Sequence, residues 1–174
     1  MATKTDKKDQ QKLLAPEIGI EAKDREAVVE LLQAVLADAH LLYMKTRKYH
    51  WNVQGRRFYM LHELFEEQYT LMAGAIDEIA ERIQMLGFAA IGTLAEMLEH
   101  TQLKEAPGQN PPAQGMVADL LADHETVIRA LRDNIDQAEQ HDDMGTADFF
   151  TELMQAHEKM AWMLRATAND AGTD

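Results

Sequence analysis

The sequence contains no cysteine among its 174 residues, only four prolines, and few aromatic residues, which make up 6% of the chain. Without cysteine, neither disulfide bonds nor thiolate metal sites are available. No uninterrupted apolar run approaches the roughly 20 residues that a membrane-spanning helix needs. The first twelve residues, MATKTDKKDQQK, also lack the apolar core of a secretory signal. We therefore expect a soluble, cytoplasmic protein that contacts no membrane.

Basic residues are scarce relative to acidic ones, with 17 lysines and arginines against 30 aspartates and glutamates and a net charge of −13. This balance argues against a body that grips nucleic acid through general basicity and is compatible with cation binding. Residues 1–15 differ, because they are polar, carry lysines and show almost no apolar periodicity. We expect a mobile lysine-bearing tail at 1–15, one domain at 16–168 and a short C-terminal tail at 169–174.

Apolar residues at helical spacing predict four long helices, A to D. Helix A begins near Asp24 and ends at the stop signals of residues 52–55, and helix B follows and ends before Gly87. Helices C and D are predicted at about 114–140 and 146–168. No strand pattern and no internal repeat is visible.

The connection between helices B and C is long and contains three of the four prolines. Thr93 and Glu96 have the spacing of a capping box, which predicts a short helix through His100. A connection of about 25 residues can return the chain along a helix roughly 43 Å long, so that B and C run parallel. The sequence thus predicts an all-α, ferritin-like four-helix bundle with a long B–C crossover that carries a short helix.

Helix B carries a polar stripe of two i,i+4 pairs, His62 with Glu66 and Asp77 with Glu81. His50 ends helix A, twelve residues before His62. Each pair alone is compatible with a solvated helix face, and each histidine alone with a packing role. Together, however, histidine and carboxylate at these spacings form the ligand set of a redox-capable first-row metal.

The spacing along helix B excludes one simple arrangement of this set. His62 and Asp77 are separated by about 22 Å of helical rise, whereas the ligands of one metal each lie about 2 Å from it. If two copies pack antiparallel about a two-fold axis, the histidines of one meet the carboxylates of the other. Ala73 and Gly74, near the middle of the stripe, would allow close approach or would simply pack within the bundle. The Glu-x-x-His signature of a centre within one subunit is absent from the sequence.

Several segments resemble the signatures of the Dps family, the DNA-binding proteins from starved cells or mini-ferritins. The resemblance rests on YHWNVQG at 49–55, FYMLHELFEEQY at 58–69 and DEIAERI at 77–83, with HEKMAWMLRA at 157–166 in support. It covers the chain from about residue 24 to 168. It implies a ferritin-like bundle assembled as a twelve-subunit hollow shell.

The resemblance also implies site residues and an activity. Di-iron ferroxidase sites at the two-fold interfaces would take His50 and His62 from one subunit and Asp77 and Glu81 from its neighbour, with Glu66 as an additional carboxylate. The implied reaction oxidises Fe(II), with hydrogen peroxide as the preferred oxidant, and stores ferric mineral. Whether oxygen competes, and whether zinc or another divalent metal occupies the site at rest, stays open.

Two further features take a role from the resemblance. Trp51 would intercept stray oxidising equivalents, or would serve as an interface aromatic residue. The acidic C–D turn would line three-fold pores that admit iron, or would be an ordinary solvated turn. The carboxylates of this turn are Glu139, Asp142, Asp143 and Asp148.

A second function, nucleoid-associated DNA binding, depends on the N-terminal tail. The tail carries Lys4, Lys7, Lys8 and Lys12 against two aspartates. Several such tails on one particle could bind DNA together, although a lysine-bearing terminus also serves as a solubilising tail.

Overall fold

The computed structural model describes residues 16–168, and within that range the chain forms five α-helices and no strand. The two predicted tails, 1–15 and 169–174, lie outside the described residues. The helices are α1 (Ala22–Asn52), α2 (Phe58–Met85), α3 (Leu94–His100), α4 (Ala113–Gln140) and α5 (Met144–Ala168).

The four long helices arise from the apolar periodicity of the sequence, and their ends follow local signals. α1 ends where Val53 turns extended, with φ −62° and ψ 141°, while its N–H still bonds the Tyr49 carbonyl. α5 begins at Met144, two residues before the predicted start at Thr146. The reason is Asp143, whose carboxylate accepts the N–H of Thr146 and so caps the helix two residues earlier.

Contacts between helices establish the topology. Lys45, late in α1, pairs with Asp123, early in α4, which makes these two helices antiparallel. Since α1 and α2 form an antiparallel hairpin across a five-residue link, α2 and α4 run parallel. Arg82 near the end of α2 meets Asp143 just before α5, and Gln68, earlier in α2, bonds the carbonyl of Met160, late in α5, so these two helices are also antiparallel. The predicted ferritin-like bundle with its long crossover is confirmed.

The crossover between α2 and α4 is fastened to the bundle at α3. The Thr93 side chain accepts the Glu96 N–H and the Glu96 carboxylate accepts the Thr93 N–H, which confirms the predicted capping box. Beyond α3, the buried Asp38 of α1 accepts hydrogen bonds from the Thr101 hydroxyl and from both the backbone and side-chain N–H groups of Gln102. These bonds hold the returning chain against α1.

The core lies between the four long helices, where Phe65, Phe150 and Tyr49 are among the largest fully buried side chains. α1 is long and apolar enough to cross a bilayer by length and composition alone. More than half of its most apolar stretch is buried in the bundle, as is usual for a core helix, so this is weak support for a membrane span.

Candidate metal centre

The short link between α1 and α2 brings two histidines together at one end of the bundle. Gly55 adopts φ +101°, a conformation that residues with side chains rarely take, and its carbonyl accepts the first N–H of α2 from Phe58. Val53, 1% exposed, anchors the link in the core. The chain therefore reverses within five residues, and His50 in the last turn of α1 faces His62 in the first turns of α2.

The imidazole rings of His50 and His62 are stacked, with centroids 3.7 Å apart and planes inclined by 18°. Each Nδ1 is bonded to the other residue's main chain: His50 Nδ1 lies 2.8 Å from the His62 carbonyl oxygen, and His62 Nδ1 lies 2.9 Å from the His50 carbonyl oxygen. This reciprocal pairing fixes both rings in position.

The pairing also fixes the tautomer. A carbonyl oxygen only accepts hydrogen bonds, so each Nδ1 must carry the proton. In the neutral rings the lone pair then lies on Nε2, which is the atom left to bind a cation. A metal-binding histidine usually donates its second N–H to such a carbonyl, and here two histidines do so for one another.

Glu66 supplies a carboxylate beside this pair. One ligand atom from each of His50, His62 and Glu66 can be chosen so that all lie within 4.8 Å of one another. His50 is buried, His62 half-buried and Glu66 exposed, so the group opens toward the surface. Two imidazoles and a carboxylate are a donor set that suits iron, zinc and other first-row divalent cations.

The structure makes Glu66 a more central residue of the candidate site than the sequence suggested. The resemblance offered it only as an additional carboxylate, whereas it is the side chain that joins the two histidines within one chain. The i,i+4 spacing from His62 was the signal, because it puts both residues on one helix face.

Tyr69 and Arg47 border the site and were not identified from the sequence. The Tyr69 hydroxyl donates to Glu66 Oε1 at 3.3 Å, and its ring meets that of His50 edge-on with centroids 5.2 Å apart. Burial, followed by the nearby Glu66 carboxylate, raises the pKa of the Tyr69 phenol above its usual range. The Arg47 guanidinium lies over the Tyr69 ring, 5.3 Å from its centroid. The i,i+3 spacing of Glu66 and Tyr69 was the only available sequence signal.

Asp77 and Glu81 are not brought to the histidines of their own chain. α2 is a single unbroken helix from Phe58 to Met85, so the rise of about 22 Å between His62 and Asp77 applies. Both carboxylates are exposed on the described chain. They are therefore able to contact another molecule but cannot reach the histidine pair of their own chain.

Trp51 follows His50 in the chain but is not stacked on it. Its side chain is 57% exposed, and the Arg47 guanidinium lies 5.1 Å from its ring centroid. Within residues 16–168, the rings in contact with the histidine pair are those of Tyr69 and Phe58.

The four carboxylates of the acidic C–D turn, which joins α4 to α5, differ in their exposure. Glu139, Asp142 and Asp148 are exposed, as a pore lining requires. Asp143 is 1% exposed, and its carboxylate is bonded to Arg82 and Thr146. Asp143 therefore acts in this chain as a helix cap and ion-pair partner, and its charge is already neutralised.

Four long helices with a long α2–α4 crossover form the ferritin-like architecture, and here the bundle carries a His–His–carboxylate group at one end. A family model described as the ferritin-like domain matches residues 29–172. The chain belongs to this superfamily and, within it, to the Dps family.

Three similar proteins illustrate the relationship. A low-temperature-induced protein of Nostoc sp., described as uncharacterised, is 49% identical, covering 86% of this chain and 84% of that protein. DNA protection during starvation protein 2 of Bacillus anthracis is 40% identical, covering 82% and 97%. The crystal structure of a Dps protein from Vibrio cholerae, described as a member of a broad superfamily of ferritin-like diiron-carboxylate proteins, superposes with a TM-score of 0.82 at 32% identity, covering 87% and 95%.

Proposed function

We propose that this protein is a ferroxidase and iron-storage protein that oxidises Fe(II), with hydrogen peroxide as the oxidant, and keeps the ferric product as mineral. The observation that carries the proposal is the locked histidine pair, with both Nε2 atoms left for a cation beside the Glu66 carboxylate. The description of the Vibrio cholerae relative as a ferritin-like diiron-carboxylate protein supports iron as the metal.

The chemistry follows from the donor set. Neutral imidazoles and carboxylates bind Fe(II) and stabilise Fe(III) more strongly, because the anionic oxygens favour the higher charge. Two Fe(II) ions at adjacent positions would supply the two electrons that, with two protons from solvent, reduce one peroxide to two waters. No hydroxyl radical is released, and oxidative damage is suppressed.

The complete centre is shared between two subunits in this proposal. The exposed Asp77 and Glu81 of a second copy would approach the histidine pair of the first when the two α2 helices pack antiparallel. This two-fold contact closes on itself as a dimer, and a further contact about three-fold axes would join the dimers into a closed shell, for which we propose twelve subunits in the cytoplasm. The exposed carboxylates Glu139, Asp142 and Asp148 would concentrate Fe(II) at pores of that shell.

Anaerobic addition of Fe(II) followed by peroxide tests the proposal. We expect near-ultraviolet ferric absorbance to develop rapidly in the assembled wild-type protein. The variant His50→Ala/His62→Ala should lose the fast phase, whereas His100→Ala, at an exposed position on α3, should retain it. Equal rates in all three proteins would contradict the proposal.

DNA binding is a second candidate function, favoured by the DNA protection name of the Bacillus anthracis relative and by the four lysines of the tail. Binding through several tails should weaken steeply as salt rises, since lysine–phosphate contacts release counterions. Deleting residues 2–12 should abolish gel retardation and leave iron oxidation intact. Retardation by the truncated protein would place the DNA surface elsewhere.

A further inference from the structure

Tyr69 contacts two of the three side chains that could bind a metal at the histidine–carboxylate site, namely His50 and Glu66. Its hydroxyl donates to Glu66 Oε1 at 3.3 Å, and the edge-on contact with His50 leaves 5.2 Å between ring centroids. No side chain therefore needs to intervene between the phenol and a cation bound by His50 and Glu66. An electron could pass directly from the ring through either contact.

The surroundings decide how the phenol could be oxidised. The Arg47 guanidinium lies over the Tyr69 ring at 5.3 Å and also over the Tyr43 ring at 5.4 Å. A positive charge at this distance disfavours a ring that becomes positive by losing an electron alone. Loss of the electron together with the proton avoids that charge, and Glu66 is already placed to accept the proton.

We infer that Tyr69 is a one-electron donor that completes peroxide reduction when only one Fe(II) is bound at the site. This inference rests on the proposed function. Fe(II) gives one electron and becomes Fe(III), and the phenol gives one electron and passes its proton through Glu66. With one further proton from solvent, the O–O bond breaks and two waters form: H₂O₂ + Fe(II) + tyrosine + H⁺ gives Fe(III) + tyrosyl radical + 2 H₂O. The oxidising equivalent stays on the protein and does not leave as a hydroxyl radical.

The other tyrosines are placed differently, and the chain has only four. The Tyr49 hydroxyl donates to Asp119 on α4, and Tyr43 accepts a hydrogen bond from Arg47. Tyr59 is 73% exposed. Of the four tyrosines, Tyr69 is the one whose hydroxyl bonds a metal-ligating side chain of the site, Glu66.

The test uses the assembled full-length protein with less than one Fe(II) per site, mixed anaerobically with peroxide and frozen within milliseconds to seconds. Electron paramagnetic resonance should show a tyrosyl radical that narrows when the protein carries ring-deuterated tyrosine. The signal should disappear in Tyr69→Phe and persist in Tyr43→Phe. Tyr43 is the matched control, because its ring meets that of Tyr69 edge-on with centroids 6.1 Å apart and its hydroxyl bonds Arg47 and no ligand of the site. Spin trapping should detect more hydroxyl radical from Tyr69→Phe than from either other protein.

Iron oxidation at two Fe(II) per site separates this inference from the proposed function. At that loading Tyr69→Phe, like the wild type, should consume one peroxide for every two Fe(II) and show no tyrosyl signal, because the second iron supplies the second electron. A tyrosyl signal that survives in Tyr69→Phe, or its absence in a wild type that oxidises iron, would overturn the role of Tyr69 and leave the function standing. No peroxide-driven oxidation in the wild type would overturn both.

Discussion

Arg82, one turn before the end of α2, donates from Nη2 to Oδ1 of Asp143 at 2.7 Å, and the same oxygen accepts the backbone N–H of Thr146. The Arg82 Nε bonds the Thr146 hydroxyl. A Cβ added at Gly145 would lie 3.0 Å from Arg82 Nη2, which leaves little room for a side chain there. One carboxylate thus caps α5 and joins it to α2.

Removing this carboxylate should destabilise the bundle. Asp143→Ala leaves the partly buried Arg82 without its partner and the N–H of Thr146 without a cap, and we expect a loss of about 3 kcal/mol. Thermal unfolding at matched protein concentration measures it. Asp142→Asn is the control, because Asp142 is exposed and asparagine tolerates its φ of +57°. Equal losses in the two variants would contradict the ion-pair role.

The exposed carboxylates of the C–D turn should affect the supply of iron and not its oxidation. Asp142→Asn/Asp148→Asn should slow mineral growth at low Fe(II) and matter little at high Fe(II), because the lost charges act by raising the local cation concentration. Iron uptake followed across that concentration range is the measurement. Glu99→Gln/Glu105→Gln removes the same charge from the exposed α2–α4 connection and should leave uptake unchanged. If both double variants behave like wild type, the turn is an ordinary solvated one.

The shared site predicts rescue between two inactive variants. His50→Ala/His62→Ala and Asp77→Ala/Glu81→Ala should each assemble without fast oxidation. In a mixed two-fold dimer, one site joins the two damaged halves and the other joins intact histidines to intact carboxylates. With random pairing half of the dimers are mixed, so roughly a quarter of the sites should recover on co-refolding.

Mixing shells that have already assembled is the control for this experiment and should restore nothing. A site within one subunit could not be rescued, since every chain would still lack part of its ligands. Verified co-assembly without activity would therefore exclude the inter-subunit site.

Two core histidines should make the protein sensitive to acid. His124 and His157 lie with their Nδ1 atoms 2.9 Å apart, and burial lowers the pKa of His157 to about 4 and that of His124 well below its usual range. In the unfolded chain both titrate near 6.5, so below that pH the unfolded state binds more protons and stability falls as pH falls. Between about pH 6.5 and 4 His157 contributes a slope of up to ~1.4 kcal/mol per pH unit, and His124 contributes in the same direction.

Replacing one of these histidines should reduce that slope. His157→Gln should flatten the decline of the unfolding midpoint between pH 6.5 and 4.5, because one titrating group is lost. His100→Gln, at an exposed position, should follow the wild-type profile. An unchanged slope in His157→Gln would show that the core histidines are not responsible.

The sequence was sufficient for the elements whose signals are local. Apolar periodicity placed the four long helices to within about two residues, and the Thr93–Glu96 pair placed α3. The start of α5, two residues earlier than predicted, depends on a contact that is not local. The capping carboxylate of Asp143 is held by Arg82, which lies 61 residues away in the sequence. No local rule could distinguish that buried aspartate from its exposed neighbour Asp142.

At the metal centre, the sequence by itself determined the ligand types and, through the fixed rise of a helix, the separation of His62 from Asp77. The tertiary structure decided how the ligands are arranged and which ring nitrogen is free, because both depend on how α1 and α2 pack across their five-residue link. That packing stacks His50 on His62, and each ring donates its Nδ1–H to the other residue's carbonyl oxygen. Nε2 is therefore the ring nitrogen left to bind a metal. It also sets Tyr69 against His50 and Arg47 over Tyr69, contacts between different helices that sequence spacing does not encode.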